Sequence, residues 1–178
     1  MFASSVESAV FLAGLCKKNM WNLIYKSHPM YAKFDRVDLL PDNIIYVDNC
    51  DINDLIDMSD VVVTIRSSTN YVALVKERPV LMLGYTQTHG QGCTYEAFEK
   101  NAIEPQLKQA IDKGFTAEQR EAFIEHVARL LKYYLYDDTL PRELRYGLPM
   151  PEKFEDFFEL GKKLQKMNEA MKAGAANV

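Results

Sequence analysis

Between positions 59 and 84 the chain places a β-branched run, a hydroxyl-rich group, a short apolar block and a second apolar run in unbroken succession. Val61, Val62, Val63 and Ile65 show no alternation of apolar and polar positions, which is the pattern of a parallel strand covered on both faces. The run stops at Arg66, Ser67, Ser68, Thr69 and Asn70. Hydroxyl side chains ahead of Tyr71, Val72, Ala73, Leu74 and Val75 predict a helix cap followed by a short helix. Lys76 and Arg78 then fall where they would complement the negative end of that helix, and Pro79 closes it. Residues 80–83 make the next buried strand. The stretch is a β-α-β unit, whose crossover is expected to be right-handed.

The flanking text follows the same alternation of helix and strand. Ser4, Ser5 and Glu7 mark a helix start, and Val6, Val10, Leu12, Ala13, Leu15 and Cys16 recur at helical intervals up to Lys17, Lys18 and Asn19. Trp21, Leu23, Ile24 and Tyr25 predict a strand that runs into Lys26, Ser27, His28 and Pro29, and Pro29 keeps His28 extended. Residues 30–43 read as a long loop with at most one helical turn, 44–47 as a strand and 51–58 as a short helix. After Gly84, residues 85–94 form a polar loop. Residues 95–100 read as one or two helical turns and 103–113 as a helix ended by Gly114. Residues 116–119 resemble a capping arrangement ahead of a strong helix that ends near Asp137. A Pro-containing connection over 139–151 leads to a terminal helix whose broad apolar face includes Phe154, Phe157 and Phe158.

Composition narrows the class. With 178 residues, 48% of them hydrophobic and 26% charged, the chain can build a core and is not a disordered sequence. A formal charge of -4 argues against a nucleic-acid or anionic-membrane surface. Cys16, Cys50 and Cys93 are widely and irregularly spaced, so neither a disulfide framework nor a zinc motif is indicated, and a reducing cytoplasm fits. No Lys or Arg precedes the apolar run 9–16, and no run approaches the roughly 20 apolar residues of a membrane span. The expectation is a cytoplasmic protein, at most peripheral to an inner membrane.

The candidate chemistry sits at strand ends. The first turn of the helix after Arg66 has backbone N–H groups without partners beside three hydroxyls, a place where an open α/β sheet can hold a phosphate or a carboxylate. Simple capping by Ser68 or Thr69 accounts for the same residues. His28 lies at the end of an earlier strand and can donate to a phosphate oxygen from that side, or can be an ordinary loop histidine. Lys26 and Arg66 can add charge. Gly84, His89 and Gly92 are loop residues able to close on a bound group. Glu96 and Glu99 are nearby carboxylates, but no residue is marked as a catalytic base. There is no Asp-X-Asp triplet or His/Cys cluster, so no metal and no tightly held cofactor is expected.

The order of these pieces carries a resemblance. Tyr25-Lys26-Ser27-His28-Pro29, then Asp54-Leu55-Ile56-Asp57-Met58-Ser59-Asp60, then Val63-Thr64-Ile65-Arg66-Ser67-Ser68-Thr69, then Arg78-Pro79-Val80 and a Gly-containing loop, resembles the C-terminal half of bacterial capsular-polysaccharide glycosyltransferases with two Rossmann domains, the GT-B type. A more distant likeness extends to polysialyltransferases and teichoic-acid polymerases. The resemblance covers about residues 4–94. It implies a doubly wound, Rossmann-like parallel sheet flanked by helices as a nucleotide-binding domain over 1–138, with 139–178 as a connection and an amphipathic helix that packs on the domain or on a partner. It further implies that His28, Pro29, Ser67, Ser68 and Thr69 contact the phosphate and ribose side of a nucleotide-sugar donor, often CMP-linked. In that architecture the acceptor and the acid or base belong to an N-terminal half not found here, so the expected partners are such a half or a second copy joined through the terminal helix. The alternative is a non-catalytic nucleotide-binding or protein-interaction module derived from such an enzyme. A sugar-nucleotide epimerase-type fold fits less well, because no Gly-X-Gly-X-X-Gly loop opens a helix.

Overall fold

Ser4 accepts a hydrogen bond from the Glu7 N–H at 3.0 Å and so starts the first helix, α1, Ser5–Asn19. The computed structural model describes residues 1–28 and 35–133. After α1 come β1 (Leu23–Lys26), a single 3-10 turn (Val37–Leu39), β2 (Ile44–Val47), α2 (Ile52–Asp57), β3 (Val62–Thr64), α3 (Thr69–Val75), β4 (Val80–Met82), β5 (Tyr95–Glu96), α4 (Lys100–Lys113) and α5 (Ala117–Tyr133). The chain divides into two compact units, Met1–Phe123 and Ile124–Val178. Every described strand lies in the first; of the second, the end of α5 is described. The expected terminal helix with Phe154, Phe157 and Phe158 lies outside the described residues, as does Pro29.

The described strand pairs are all parallel. β1 pairs with β2 in register Leu23 to Ile44 through Lys26 to Val47. In a second ladder β4 lies between β3 and β5, with Val62 opposite Val80 and Leu81 opposite Tyr95. This is a Rossmann-like α/β arrangement of parallel strands flanked by helices, and β3-α3-β4 is the expected β-α-β unit. Among the described residues no helix is long and apolar enough to cross a membrane.

One helix serves both ladders. Leu12 of α1 enters the larger apolar cluster with Leu81, Leu83, Tyr95, Ala97, Ile103, Leu107 and Ala110, while Ala9 and Ala13 pack with Ile44. Leu23 of β1 lies against both clusters, so the ladders share a continuous core although among the described residues no strand pairing joins them. Full burial falls on the middle strand β4, whose three residues are inaccessible, whereas Val62 and Val63 of β3 are only partly covered. The continuous apolar run over 61–65 therefore marks a half-buried strand, and the one covered on both faces is its successor.

Two further expectations change and a third is met. Residues 95–100 do not form helical turns: Tyr95 and Glu96 are strand β5, extended by the Ala97 N–H donating to the Met82 carbonyl at 2.9 Å, and α4 begins at Lys100. Tyr95 and Ala97 are buried while Glu96 and Phe98 are partly exposed, which is strand alternation in a segment too short to announce itself. Lys76 and Arg78 do not complement α3. Lys76 pairs with Asp57 Oδ2 at 2.6 Å and Arg78 donates to the Asp57 carbonyl at 2.7 Å, so both bind the end of α2. The arrangement at 116–119 does form: the Gln119 N–H donates to Thr116 Oγ1 at 3.3 Å, and the Thr116 N–H donates to Gln119 Oε1 at 3.2 Å.

Charge links α1 to α4. Glu104 accepts from Lys18 at 2.9 Å, from Lys108 at 2.9 Å and from Asn19 at 3.2 Å, and these donors hold its carboxyl down to about 2. A folded-state pKa below the ordinary value of 4.5 means that the unfolded chain binds more protons across the interval between them. The contribution of Glu104 is then complete above 4.5 and disappears as pH falls toward about 2. Glu104→Gln is expected to be less stable than wild type near neutral pH in urea unfolding, with the difference closing through that acidic interval. A difference that stays constant with pH would contradict this assignment.

Candidate functional site

The exits of β3 and β4 are built as one body. Beyond β3, Ser67 Oγ donates to Thr69 Oγ1 at 2.8 Å and accepts the Thr69 N–H at 3.2 Å, a local turn that starts α3. Ser68 occupies the cap position with helical backbone angles and makes no side-chain capping bond. Capping thus falls to Ser67, and Ser68 keeps an exposed hydroxyl. Asn70 is fully buried. Its Nδ2 donates to Thr88 Oγ1 at 2.9 Å and lies 3.2 Å from Thr86 Oγ1, while its Oδ1 accepts the Tyr71 N–H at 2.9 Å. The two threonine hydroxyls stand 2.8 Å apart, each within about 3 Å of the Met82 sulfur at 3.1 and 3.0 Å. The loop after β4 is thereby tied to the start of α3.

Backbone contact tightens the same junction. A Cβ on Gly84 would lie 2.3 Å from the Ile65 carbonyl oxygen, closer than any side chain allows, so the two strand exits cross at a distance that only glycine permits. Thr64, the last residue of β3, is buried with its hydroxyl unsatisfied at the base of this crossing.

Four side chains next to the crossing form a second constellation. The Tyr85 ring stacks on Phe98 with centroids 4.4 Å apart and planes 14° apart. His89 meets both rings edge-on, at 4.7 Å from Tyr85 and 5.1 Å from Phe98. Its Nδ1 lies 2.8 Å from Glu96 Oε2, and the other carboxylate oxygen accepts the Gly90 N–H at 2.9 Å and the Thr94 hydroxyl at 3.4 Å. Gly90 and Gly92 have φ of 67° and 79°, which lets the loop double back to bring β5 alongside. A shallow polar cleft opens here, lined by Gly90, Gly92, Thr94 and Glu96 together with Gln106 and Gln109. Cys93 is buried, and burial pushes its thiol up to about 11, so it is a protonated core residue and not a nucleophile.

The residues singled out in the sequence fall into two groups. Ser67, Ser68, Thr69, Gly84 and His89 belong to the joined exits of β3 and β4, Arg66 is exposed at their start, and Gly92 lines the cleft. His28 and Lys26 belong to the exit of β1, where His28 is exposed and Lys26 donates to the Asp48 carbonyl at 3.3 Å beside the end of β2. The cleft is lined by neither His28 nor the Ser67 segment. Pro29 lies outside the described residues.

Asn70, Tyr85 and Glu96 were not picked out from the sequence as site residues. Asn70 is masked there by the hydroxyls beside it, and the signal that could have found it is the pair Thr86 and Thr88 at strand spacing after an apolar strand. Glu96 stands between Tyr95 and Ala97 in an alternation that would have placed it on the polar side of a short strand.

Comparison with known proteins adds one finding. A family model described as capsule polysaccharide biosynthesis protein matches residues 9–133, which span all the described strands and helices except the start of α1. No curated protein matches the chain. No solved structure matches it either.

The junction is open to direct test. Asn70→Ala removes the donor shared by Thr86 and buried Thr88 and should destabilise the protein by about 2 kcal/mol, the scale of a lost buried hydrogen-bonding group, with faster amide exchange over 84–94. Gly84→Ala should destabilise by roughly 1–3 kcal/mol through the clash with Ile65. Gly14→Ala, in a helix with open space around it, should instead stabilise by about 0.5–1 kcal/mol. Denaturant unfolding of the three variants reads all of these, and a Gly84→Ala protein as stable as wild type would rule out the crossing.

Proposed function

The chain belongs to the capsule polysaccharide biosynthesis family, and from that premise we propose that it is the nucleotide-sugar-binding half of a glycosyltransferase acting in capsule synthesis. The observation that carries this reading is the joining of the Ser67–Thr69 segment to the loop after β4 through buried Asn70. A polar strand exit held that firmly can present the Ser68 and Thr69 hydroxyls to a phosphate with little reorganisation, which is where stabilisation of developing charge is most effective. In the proposed reaction the bond between the anomeric carbon and the donor phosphate oxygen breaks, its electron pair passes to the phosphate, and an acceptor hydroxyl forms the new bond to the sugar. Ser67, Ser68 and Thr69 hold the phosphate as that charge grows.

His28 is assigned to the same phosphate from the exit of β1, with Lys26 and Arg66 adding positive charge around it. The donor is CMP-linked in this reading, and the acceptor and the base that receives its proton belong to an N-terminal half. The protein works on the cytoplasmic side, where nucleotide sugars are made.

Calorimetric titration with CMP and CDP tests the assignment. His28→Ala, and Ser67→Ala with Ser68→Ala together, should each weaken binding by about tenfold or more, because a hydrogen bond to a charged group is worth roughly 1.5–3 kcal/mol. Circular dichroism should show the fold retained. Unchanged affinity in both variants would place the nucleotide elsewhere, and binding without transfer after an N-terminal half is supplied would identify a non-catalytic module.

A further inference from the structure

We infer that Tyr85 is the platform on which the nucleobase of the bound nucleotide stacks, which rests on the nucleotide reading above and gives the site its orientation. Tyr85 is the first residue after Gly84 and is 65% exposed. Its ring is nevertheless not loose: one face is stacked on Phe98 at 4.4 Å, and an edge-on contact with His89 at 4.7 Å fixes its direction. His89 is in turn held by Glu96 at 2.8 Å. With one face covered by Phe98, the exposure of Tyr85 comes from the opposite face and the ring edges. An aromatic ring held in place with a face open is suited to stacking a planar base, and it loses little conformational freedom in doing so.

Charge sets which end of the nucleotide lies here. Glu96 brings an acidic side chain to the ring constellation, which disfavours a phosphate there while leaving a neutral pyrimidine unaffected. The phosphate therefore lies toward Ser67, Ser68 and Thr69, and the base toward Tyr85. The two ends are held at a fixed separation because Thr88, one residue before His89, is bonded to Asn70, one residue after Thr69.

Titrating CMP and ribose 5-phosphate into wild type, Tyr85→Ala and Tyr85→Phe separates the base from the phosphate. Wild type should bind CMP at least about tenfold more tightly than ribose 5-phosphate, the usual scale of a base stacked on one aromatic ring. Tyr85→Ala should lose that preference by weakening CMP alone, and Tyr85→Phe should keep it. A Tyr85→Ala protein that retains the preference, or that loses affinity for both ligands equally, overturns the platform. Equal binding of the two ligands by wild type overturns the platform and leaves the phosphate site standing. Failure of wild type to bind either one removes the nucleotide reading and the platform together.

Discussion

The hydrogen bonds of one buried carboxamide organise this protein's candidate site. Asn70 is inaccessible to water, so its polar atoms must be satisfied inside the protein, and the donor bonds run to Thr88 and Thr86 of a loop that follows a different strand. A buried amide without partners costs several times what a paired one contributes, which makes the loop's position a condition of folding and not a matter of chance packing. Gly84 acts in the same sense through sterics, since the backbone of one exit occupies the space where a side chain on the other would be. The exits of β3 and β4 consequently behave as one surface.

That surface has two chemically distinct ends. Hydroxyls and a helix start lie on the Ser67 side, while a stacked pair of rings, an imidazole and a carboxylate lie on the Glu96 side. Beneath them is a middle strand with no exposed residue, and α1 and Leu23 tie that strand's core to the β1-β2 ladder from which His28 emerges. A ligand with an anionic end and a planar neutral end matches this distribution, and a nucleotide is such a ligand. The family is that of capsule polysaccharide biosynthesis, and under the proposed function the nucleotide would be the one carried by the sugar donor.

Much of the scaffold was legible in the sequence because it is specified locally. The Ser4 cap, the reciprocal bonds of Thr116 and Gln119, the helical spacing of α1 and the β3-α3-β4 succession each depend on residues a few positions apart. What escaped reading depends on distant partners. The two-residue strand β5 exists only because β4 offers it an edge, and Lys76 and Arg78 turn from their own helix to Asp57, about twenty positions earlier. Within the site the same rule holds: the hydroxyl group 67–69 was visible as a polar interruption, but Asn70 acquires its role from Thr88, and His89 acquires its orientation from a glutamate across a glycine loop. No periodicity encodes such pairings.

Amide hydrogen exchange with and without CMP measures the central claim most directly. If the strand exits form one nucleotide-receiving surface, CMP should slow exchange together across residues 66–71 and 84–94, with the remainder of the first unit little changed. Protection confined to one of those segments, or appearing only outside both, would contradict it.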